Sequence, residues 1–451
     1  MQIRIDCADK HVRTMLKQLL RAGLDAADPE SAIRRAVRVR NNCLRVGARE
    51  YDLTGFSRIV CIGAGKASGA MAAALERQVG SRLEGGLVVV NDGHVVRTKR
   101  IQLLEARHPV PDHRSEKAAR RMIRLLESLS ERDLVLMVLS GGASSLLAAP
   151  AAGLTLKEKQ LTTRLLLRSG AAIQEINAVR KHLSGIKGGY LAASTTASVM
   201  TLILSDVLGD DPATIGSGPM APDPSTFADA KRVLDTYGIL NRIPLAVRRH
   251  VDRGVQGRIP DTPKPGDALF SRVHHHVIGN NQAVIGNMAK RAKALGLRPL
   301  ILTTTLSGEA REIGKLFGNL AGDMHGSGNP VRPPACLLAG GELTVTVKEK
   351  GIGGRAQEFA LAAAPSIAGL SGVFVAGFGT DGIDGSTEAA GAIVDGRTIS
   401  LAKKKGVSLE AALRENDSYE FFHRVGGHVV TGPTGTNVND VYMILALGTK
   451  V

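Results

Sequence analysis

The sequence predicts an α/β protein of two domains, the first built on a parallel sheet and the second, smaller one on a mixed sheet. Its 451 residues exceed the ~250–300 at which a single hydrophobic core stops growing. Short apolar runs alternate with helical patterns along most of the chain. The Gly- and Pro-rich stretch after residue 255, GRIPDTPKPGDALF, is typical of a linker. We therefore place the domains at residues 1–255 and 256–451.

The candidate strands of the first domain are apolar along nearly their full length. They are residues 58–63, 86–91, 101–106, 133–140 and 198–206. Apolar spacing of three and four predicts helices between them, for example over 114–129. Buried strands that alternate with helices are typical of a parallel sheet covered on both faces. The first domain is therefore predicted to be Rossmann-like.

In the second domain the alternation resumes with the apolar runs PLILTTT, PACLLAGG and SGVFVAGFG. Residues 340–358, GGELTVTVKEKGIGGRAQE, contain a stretch of period two followed by a glycine-rich loop. This pattern predicts a β-hairpin.

The chain is basic: 58 Lys and Arg against 42 Asp and Glu give a formal net charge of +16. Such an excess suits an anionic ligand or a nucleic acid. Aromatic residues, on which bases would stack, make up only 3% of the chain, and the basic residues are dispersed. We therefore predict no nucleic-acid partner.

The cysteines and the hydropathy pattern bear on localisation. Four cysteines are widely spaced, without CxxC pairs or histidines at zinc spacing, and are predicted to be free thiols of a reducing compartment. The N-terminus has no apolar signal segment, and no run of 18 apolar residues occurs. The expected protein is cytoplasmic and makes no membrane contact.

A glycine turn follows the first predicted strand in RIVCIGAGKASGAM, with Gly63, Gly65 and Lys66 as candidate binding residues. The third glycine of this stretch comes one position later than a dinucleotide fingerprint, GxGxxG, requires. A phosphate loop requires a hydroxyl side chain at the position of Ala67. A glycine turn at a helix N-terminus can still bind an anion with a lysine beside it. A purely structural turn is the alternative, and both interpretations remain open.

A second glycine loop, SGGASS, follows the strand at 133–140. Its candidate substrate- and phosphate-binding residues are Ser140, Gly141, Gly142, Ser144 and Ser145. Backbone amides and hydroxyls there could hold a phosphate or carboxylate. A glycine turn with a serine cap is the alternative.

Further polar loops supply candidate metal and anion ligands. Asp206 ends a strand and Asp381 lies among glycines, and such carboxylates could bind Mg²⁺. Turn capping is the alternative for the nearby Asp210 and Asp211, so Asp206, at the strand end itself, is the preferred ligand. Arg355 opens a helix after a glycine loop, where its guanidinium could grip a carboxylate or phosphate, and Asn437 belongs to a polar loop before the last strand. Acidic and glycine-rich loops in two α/β domains favour phosphoryl transfer over hydride transfer.

Together these motifs carry a resemblance to a known family. GAGKASGAM, ARHPVPDHRS, VLSGGASSL, INAVRKHLSGIKGG, SDVLGDDPATIGSGP, GGRAQEFAL, GTDGIDGSTEAAGA and TGPTGTNVNDV occur in this order. From about residue 12 to 447 the chain resembles the class II glycerate 2-kinases of the MOFRL group, formerly often named hydroxypyruvate reductases.

The resemblance implies phosphorylation of D-glycerate at the 2-hydroxyl with ATP and Mg²⁺, in a cleft between the two domains. It assigns catalytic roles to Lys66 and Arg355, to which we add Asp206 as a strand-end carboxylate. The chain departs from the family pattern at Arg107, Leu208 and Ala356, none of which is a proposed catalytic group. The protein is expected to act on its own or as a homodimer. The alternatives are an NAD(P)H-dependent hydroxypyruvate reductase and a non-catalytic sensor of sugar acids or nucleotides.

Overall fold

The structure of the protein is a computed structural model that describes residues 2–448. The chain forms two compact units. The first unit is Pro29–Ile278, and the second combines the described residues up to Asp28 with those from Gly279 onward.

The strands of the described residues are β1 (Arg4–Ile5), β2 (Val37–Arg40), β3 (Cys43–Val46), β4 (Arg49–Asp52), β5 (Arg58–Ala64), β6 (Gly85–Asn91), β7 (Ile101–Ala106), β8 (Asp133–Ser140), β9 (Ser198–Leu204), β10 (Val273–Gly279), β11 (Arg298–Leu306), β12 (Ala335–Gly341), β13 (Val373–Gly379), β14 (Gly391–Asp395), β15 (His428–Val430) and β16 (Asp440–Ala446).

The α-helices are α1 (Lys10–Ala27), α2 (Pro29–Ala36), α3 (Ser68–Val79), α4 (His113–Glu127), α5 (Ala143–Leu146), α6 (Leu156–Arg168), α7 (Ile173–His182), α8 (Tyr190–Ala193), α9 (Phe227–Thr236), α10 (Leu245–Val255), α11 (Asn281–Ala294), α12 (Ala310–Gly326), α13 (Arg355–Ala363), α14 (Thr398–Lys404), α15 (Leu409–Glu415) and α16 (Ser418–Val425).

The first unit is built on a six-stranded sheet in the order β10-β9-β8-β5-β6-β7. Strands β5 to β9 pair in parallel, and every residue of β8 is buried. The five predicted strands and the helix predicted over 114–129 are confirmed. Asp112 begins that helix, α4, because its side chain accepts hydrogen bonds from the amides of Arg114 and Ser115.

The second unit is built on a seven-stranded mixed sheet in the order β1-β15-β14-β13-β16-β12-β11. Only β11 and β12 are parallel among its described strand pairs. A mixed sheet was predicted here and is confirmed.

The hairpin predicted within residues 340–358 is wrong. After β12 the chain forms a single isolated bridge, between Thr344 and Glu309, in place of a second paired strand. Thr344 exchanges backbone hydrogen bonds with Gly308 and Ala310, before and at the start of α12. Further on, Gly351 N donates to Glu415 O. In the period-two segment, Thr344 therefore pairs with the chain at the start of α12, and the glycine-rich loop bonds to the end of α15, which a local pattern does not reveal.

The units divide the chain differently from the predicted boundary after residue 255. Strand β10 lies beyond the linker stretch and adds to the first sheet beside β9. At the other end, β1 pairs with β15, and α1 packs on α11 so closely that a Cβ added at Gly23 would lie 2.9 Å from Met288 Sδ. These long-range contacts place residues 2–28 in the second unit.

All four cysteines are free thiols, as predicted; Cys7, Cys61 and Cys336 are buried and Cys43 is partly exposed. Among residues 2–448 there is no helix with the length and apolar character needed to span a bilayer.

Candidate active site

The turn after β5 is hydrogen-bonded to the end of its parallel neighbour β8. Lys66 N donates to Gly141 O at 2.9 Å, and Ala67 N donates to Ser140 Oγ at 3.1 Å. Gly65 N donates to Val89 O at 3.1 Å. These three amides are therefore engaged within the protein, whereas an open phosphate loop would present them to its ligand.

The predicted binding glycines of this turn have a packing role in the structure. A Cβ added at Gly63 would lie 2.2 Å from Val138 O, and one added at Gly65 would lie 2.1 Å from Ser140 Oγ. Gly65 also has a φ of +141°, which L side chains rarely adopt. Both glycines let the end of β5 approach β8 closely. This close approach fixes the position of the Lys66 backbone, from which its side chain extends.

Three loops bring predicted site residues together around Gly141 and Gly142. A Cβ added at Gly141 would lie 2.1 Å from Asp206 Oδ2, so the carboxylate lies directly against this glycine. A Cβ added at Gly142 would lie 3.4 Å from Lys66 Cγ and 3.0 Å from His108 Cδ2. The loops follow β5, β8 and β9, whose carboxyl ends meet at one edge of the parallel sheet, where ligands bind in such folds.

His108 is a neutral component of this cluster. Burial, together with the nearby positive charge of Lys66, lowers the pKa of its imidazole to about 4. The ring is therefore uncharged near neutral pH and packs against the glycine loop.

Ser144 is the centre of a hydrogen-bond network that sequence reasoning missed. Arg180 Nη2 donates to Ser144 Oγ at 2.5 Å, and Lys187 Nζ donates to the same oxygen at 2.8 Å. Ser217 Oγ lies 3.1 Å from it. The neighbouring Ser145 Oγ turns back to Gly142 O at 3.0 Å and closes the one-turn helix α5. Arg180 and Lys187 occur in the motif INAVRKHLSGIKGG, but nothing in its spacing shows that they reach the loop after β8.

In the second unit, Arg355 is bound by two carboxylates. Its Nε and Nη2 donate to Asp440 at 2.5 and 3.2 Å, and its Nη1 donates to Glu342 Oε1 at 2.6 Å. Burial alone would lower the pKa of the guanidinium, but Asp440 and Glu342 raise it. A guanidinium has five N–H donors. Three are used here, so two remain for a ligand.

Asp440 is the buried member of this network, and sequence reasoning missed it. Burial raises the pKa of its carboxyl to about 7, against the opposing effect of Arg355. Tyr442 Oη donates to Asp440 Oδ2 at 2.8 Å. Asn439 Nδ2 donates to Glu342 Oε2 at 3.1 Å, which extends the network into the polar loop before β16.

The N-terminus of α13, which Arg355 opens, is capped by a side chain from another loop. Asp384 accepts hydrogen bonds from the amides of Ala356 at 3.1 Å and Gln357 at 2.8 Å. Two other predicted site residues make turn contacts: Asp381 Oδ1 accepts from Ile383 N, and Asn437 Oδ1 accepts from Asn439 N, both at 3.1 Å. Such bonds from Asp and Asn side chains to nearby backbone amides are typical of turns.

The two predicted metal ligands, Asp206 and Asp381, belong to different compact units. Within residues 2–448, no group of three or more His, Cys, Asp or Glu side chains is arranged to hold a metal ion. A Mg²⁺ site here would therefore rely on few protein carboxylates, and Mg²⁺ commonly takes one or two together with waters and phosphate oxygens.

Comparison with known proteins finds similarity along nearly the whole chain. Residues 15–252 match a domain of unknown function, DUF4147, and residues 335–440 match the MOFRL family. A Pyrococcus horikoshii protein named glycerate 2-kinase is 41% identical, over 96% of this chain and 97% of its own. An Agrobacterium vitis protein provisionally named hydroxypyruvate reductase is also 41% identical, over 98% of this chain and 96% of its own.

A solved structure has the same fold. The crystal structure of a glycerate kinase from Thermotoga maritima superposes with a TM-score of 0.87 at 39% identity, covering 97% of this chain and 100% of that one. The matched domains, the curated relatives and the solved structure agree over both units. The chain therefore belongs to the MOFRL-group glycerate 2-kinase family.

Proposed function

We propose that the protein is an ATP-dependent glycerate 2-kinase, which phosphorylates D-glycerate at its 2-hydroxyl and releases 2-phospho-D-glycerate and ADP. The observation that carries this proposal is the end-to-end similarity to the Pyrococcus horikoshii glycerate 2-kinase. Phosphoryl transfer needs a phosphate donor, and ATP is the donor proposed here.

The charges at the carboxyl edge of the parallel sheet support the proposal. Phosphoryl transfer depends mainly on positioning and on neutralising charge on the transferred group. The Lys66 side chain lies beside Gly142, and the Asp206 carboxylate lies against the adjacent Gly141. We assign to Lys66 the neutralisation of the transferred phosphoryl group.

Asp206 is proposed to act either on the 2-hydroxyl of glycerate, which accepts the phosphoryl group, or on the metal ion. Its carboxylate could accept the proton of the 2-hydroxyl, or hold Mg²⁺ through an oxygen. Asp381 is proposed as a metal ligand as well, through an oxygen not used by Ile383. When bound, Mg²⁺ would neutralise phosphate charge during transfer.

Arg355 is proposed to bind an anionic group through its two remaining N–H donors. Asp440 and Glu342 hold its side chain in one orientation, so little conformational entropy is lost when a carboxylate or phosphate binds. The exposed Glu342, with 46% of its side chain accessible, is the partner that an anion would displace most readily.

Cytoplasmic localisation is part of the same proposal. It is supported by the four free thiols, which are typical of a reducing compartment.

Hydroxypyruvate reduction is the competing function, because the Agrobacterium vitis relative carries that name. A reductase would use the glycine turn after β5 to bind the cofactor pyrophosphate. The amides of Gly65, Lys66 and Ala67 already donate to protein acceptors, which counts against that use.

One experiment separates the two functions. The purified protein is incubated with D-glycerate, ATP and Mg²⁺, and in parallel with hydroxypyruvate and NADH or NADPH. Phosphorus and proton NMR of the product should show phosphate on the 2-oxygen. Phosphate on the 3-oxygen, or oxidation of NADH without phosphate transfer, would rule the proposal out.

A further inference from the structure

A cavity of about 260 Å³ lies beside Ser144 in the first unit. Helix α6 contributes Lys159 and Thr163, which share one helix face because they are four residues apart, and also Arg164. Arg180, near the end of α7, and Lys187, in the loop after α7, complete the basic wall. The first unit alone therefore forms this cavity.

The cavity is rich in basic side chains. Four of its lining residues are basic: Lys159, Arg164, Arg180 and Lys187. None of the described residues that line it is acidic. Because the described lining holds no carboxylate, the charged forms of these side chains repel one another, and the lining itself supplies no counter-charge.

Arg180 and Lys187 share one neutral acceptor. A serine hydroxyl has two acceptor lone pairs and one donor hydrogen, and both cations donate to Ser144 Oγ. The Ser144 hydrogen is then left for Ser217 Oγ, 3.1 Å away. Lys187 also donates to the carbonyls of Ser144 and Gly216.

Lys159 has no such partner. The residue is 6% exposed, and its Nζ makes no hydrogen bond with the part of the chain that the structure describes. A buried ammonium without a partner is costly. Burial, and then the charge of Arg180, lowers the pKa of Lys159 well below its usual value. Lys187 is 2% exposed, and burial and its cationic neighbours lower its pKa in the same way.

A nearby lysine shows how this chain compensates a structural buried charge. Lys181, next to Arg180 on α7, lies 3.2 Å from the buried carboxylate of Asp223. No equivalent carboxylate is present among the described residues that line the cavity. The counter-charge is therefore expected to come from a ligand.

We propose that this cavity, bounded by Lys159, Arg180 and Lys187, binds the carboxylate or phosphate group of a small acid. An oxyanion would accept charge-assisted hydrogen bonds and relieve the repulsion among the cations. Pockets for drug-sized ligands occupy about 300–1,000 Å³, so 260 Å³ suits a small acid better than a whole nucleotide. The source of the anion rests on the proposed function: the carboxylate of D-glycerate, or a phosphate group.

The test is calorimetric titration of the full-length protein without nucleotide or Mg²⁺. D-glycerate is titrated in one series and inorganic phosphate in another, against the wild type, Lys159→Gln and the control Lys157→Gln. Lys157 lies on the same helix but is exposed. We expect at least one probe to bind wild type and control equally, and Lys159→Gln at least about tenfold more weakly, as loss of a charge-assisted contact predicts.

Thermal unfolding of the ligand-free variants checks the fold. Because Lys159 Nζ has no hydrogen bond to lose, Lys159→Gln should be at least as stable as the wild type. Arg164→Gln, which changes an exposed residue of the same wall, is a second variant and should weaken binding by about threefold, as for a partly solvated charge.

The outcomes separate this proposal from the kinase proposal. Equal affinity of Lys159→Gln and the wild type for both probes, or no binding of either probe to the wild type, would overturn the cavity assignment even if the protein is a kinase. Anion binding that depends on Lys159, in a protein without phosphotransferase activity, would support the cavity and contradict the kinase. The probe that binds identifies the source of the anion.

Discussion

Arg355 holds Asp440 through two hydrogen bonds, from Nε to Oδ2 at 2.5 Å and from Nη2 to Oδ1 at 3.2 Å. The pair joins the first residue of α13 to the first residue of β16. A lysine, with a single ammonium at the end of a flexible chain, cannot reproduce this two-point contact. The orientation of any anion bound to Arg355 therefore depends on Asp440.

Arg355→Lys is expected to lower kcat/KM for D-glycerate by at least about a hundredfold, as for loss of one charged contact that strengthens in the transition state. Steady-state kinetics at low glycerate measures this. Arg397→Lys is the control, because Arg397 also pairs with an aspartate in the second unit but is largely exposed. Near-normal kcat/KM in a folded Arg355→Lys variant would make Arg355 a structural residue only.

Lys66→Ala is expected to lower turnover by at least about a hundredfold with folding intact, because the ammonium neutralises the transferred phosphoryl group. The backbone amide of Lys66, which donates to Gly141, is kept in the variant. Lys117→Ala on α4 changes an exposed lysine and should have no effect. Circular dichroism confirms folding; a Lys66→Ala enzyme with wild-type turnover would contradict the assignment.

Asp206→Asn is expected to distinguish the two proposed tasks of this carboxylate. If Asp206 holds Mg²⁺, the variant should need a higher Mg²⁺ concentration for half-maximal rate, since an amide oxygen is a weaker ligand. If Asp206 is the base, the Mg²⁺ requirement should not change and the maximal rate should fall by about 10²–10⁴-fold. Rates measured across a Mg²⁺ series decide; unchanged rate and requirement would remove Asp206 from the site.

His108 predicts a pH dependence of stability. Burial and Lys66 lower its pKa from 6.5 to about 4 in the folded protein. Between these values the unfolded chain binds more protons, so the free energy of unfolding rises with pH from about 4 to 6.5 and then levels off. In the His108→Gln variant, the free energy of unfolding should lack the contribution of His108 to this rise. Denaturant titrations of both proteins across this range measure it; parallel curves would show that His108 titrates normally.

The strands of the first unit could be predicted from the sequence because they are buried on both faces. Runs such as DLVLMVLS are apolar at nearly every position, without the alternation of apolar and polar residues that a half-buried strand shows. Their spacing between amphipathic helices indicates a parallel sheet. The same topology places the loops after β5, β8 and β9 at one edge. For this reason Lys66, Asp206 and the glycines at 141 and 142, which lie in these loops, could each be proposed as site residues from the sequence.

Contacts between distant segments could not be predicted. The apolar face of α1 is evident from its spacing, but the sequence does not show that α11 covers it. Likewise, period two in LTVTV indicates an extended chain, but the sequence does not show that Thr344 pairs with residues 308–310 at the start of α12. The domain boundary and the hairpin therefore differ from the prediction.

By itself, the sequence determined the fold class, the family and the loops that carry the candidate site, because each depends on local pattern or on motifs in order. Only the tertiary structure decided which charges are compensated. It gave Arg355 two carboxylate partners and left Lys159 without a hydrogen-bond partner among the described residues. The physical reason is that burial and pairing, which control the energy of a charge, are set by residues brought together from distant parts of the chain.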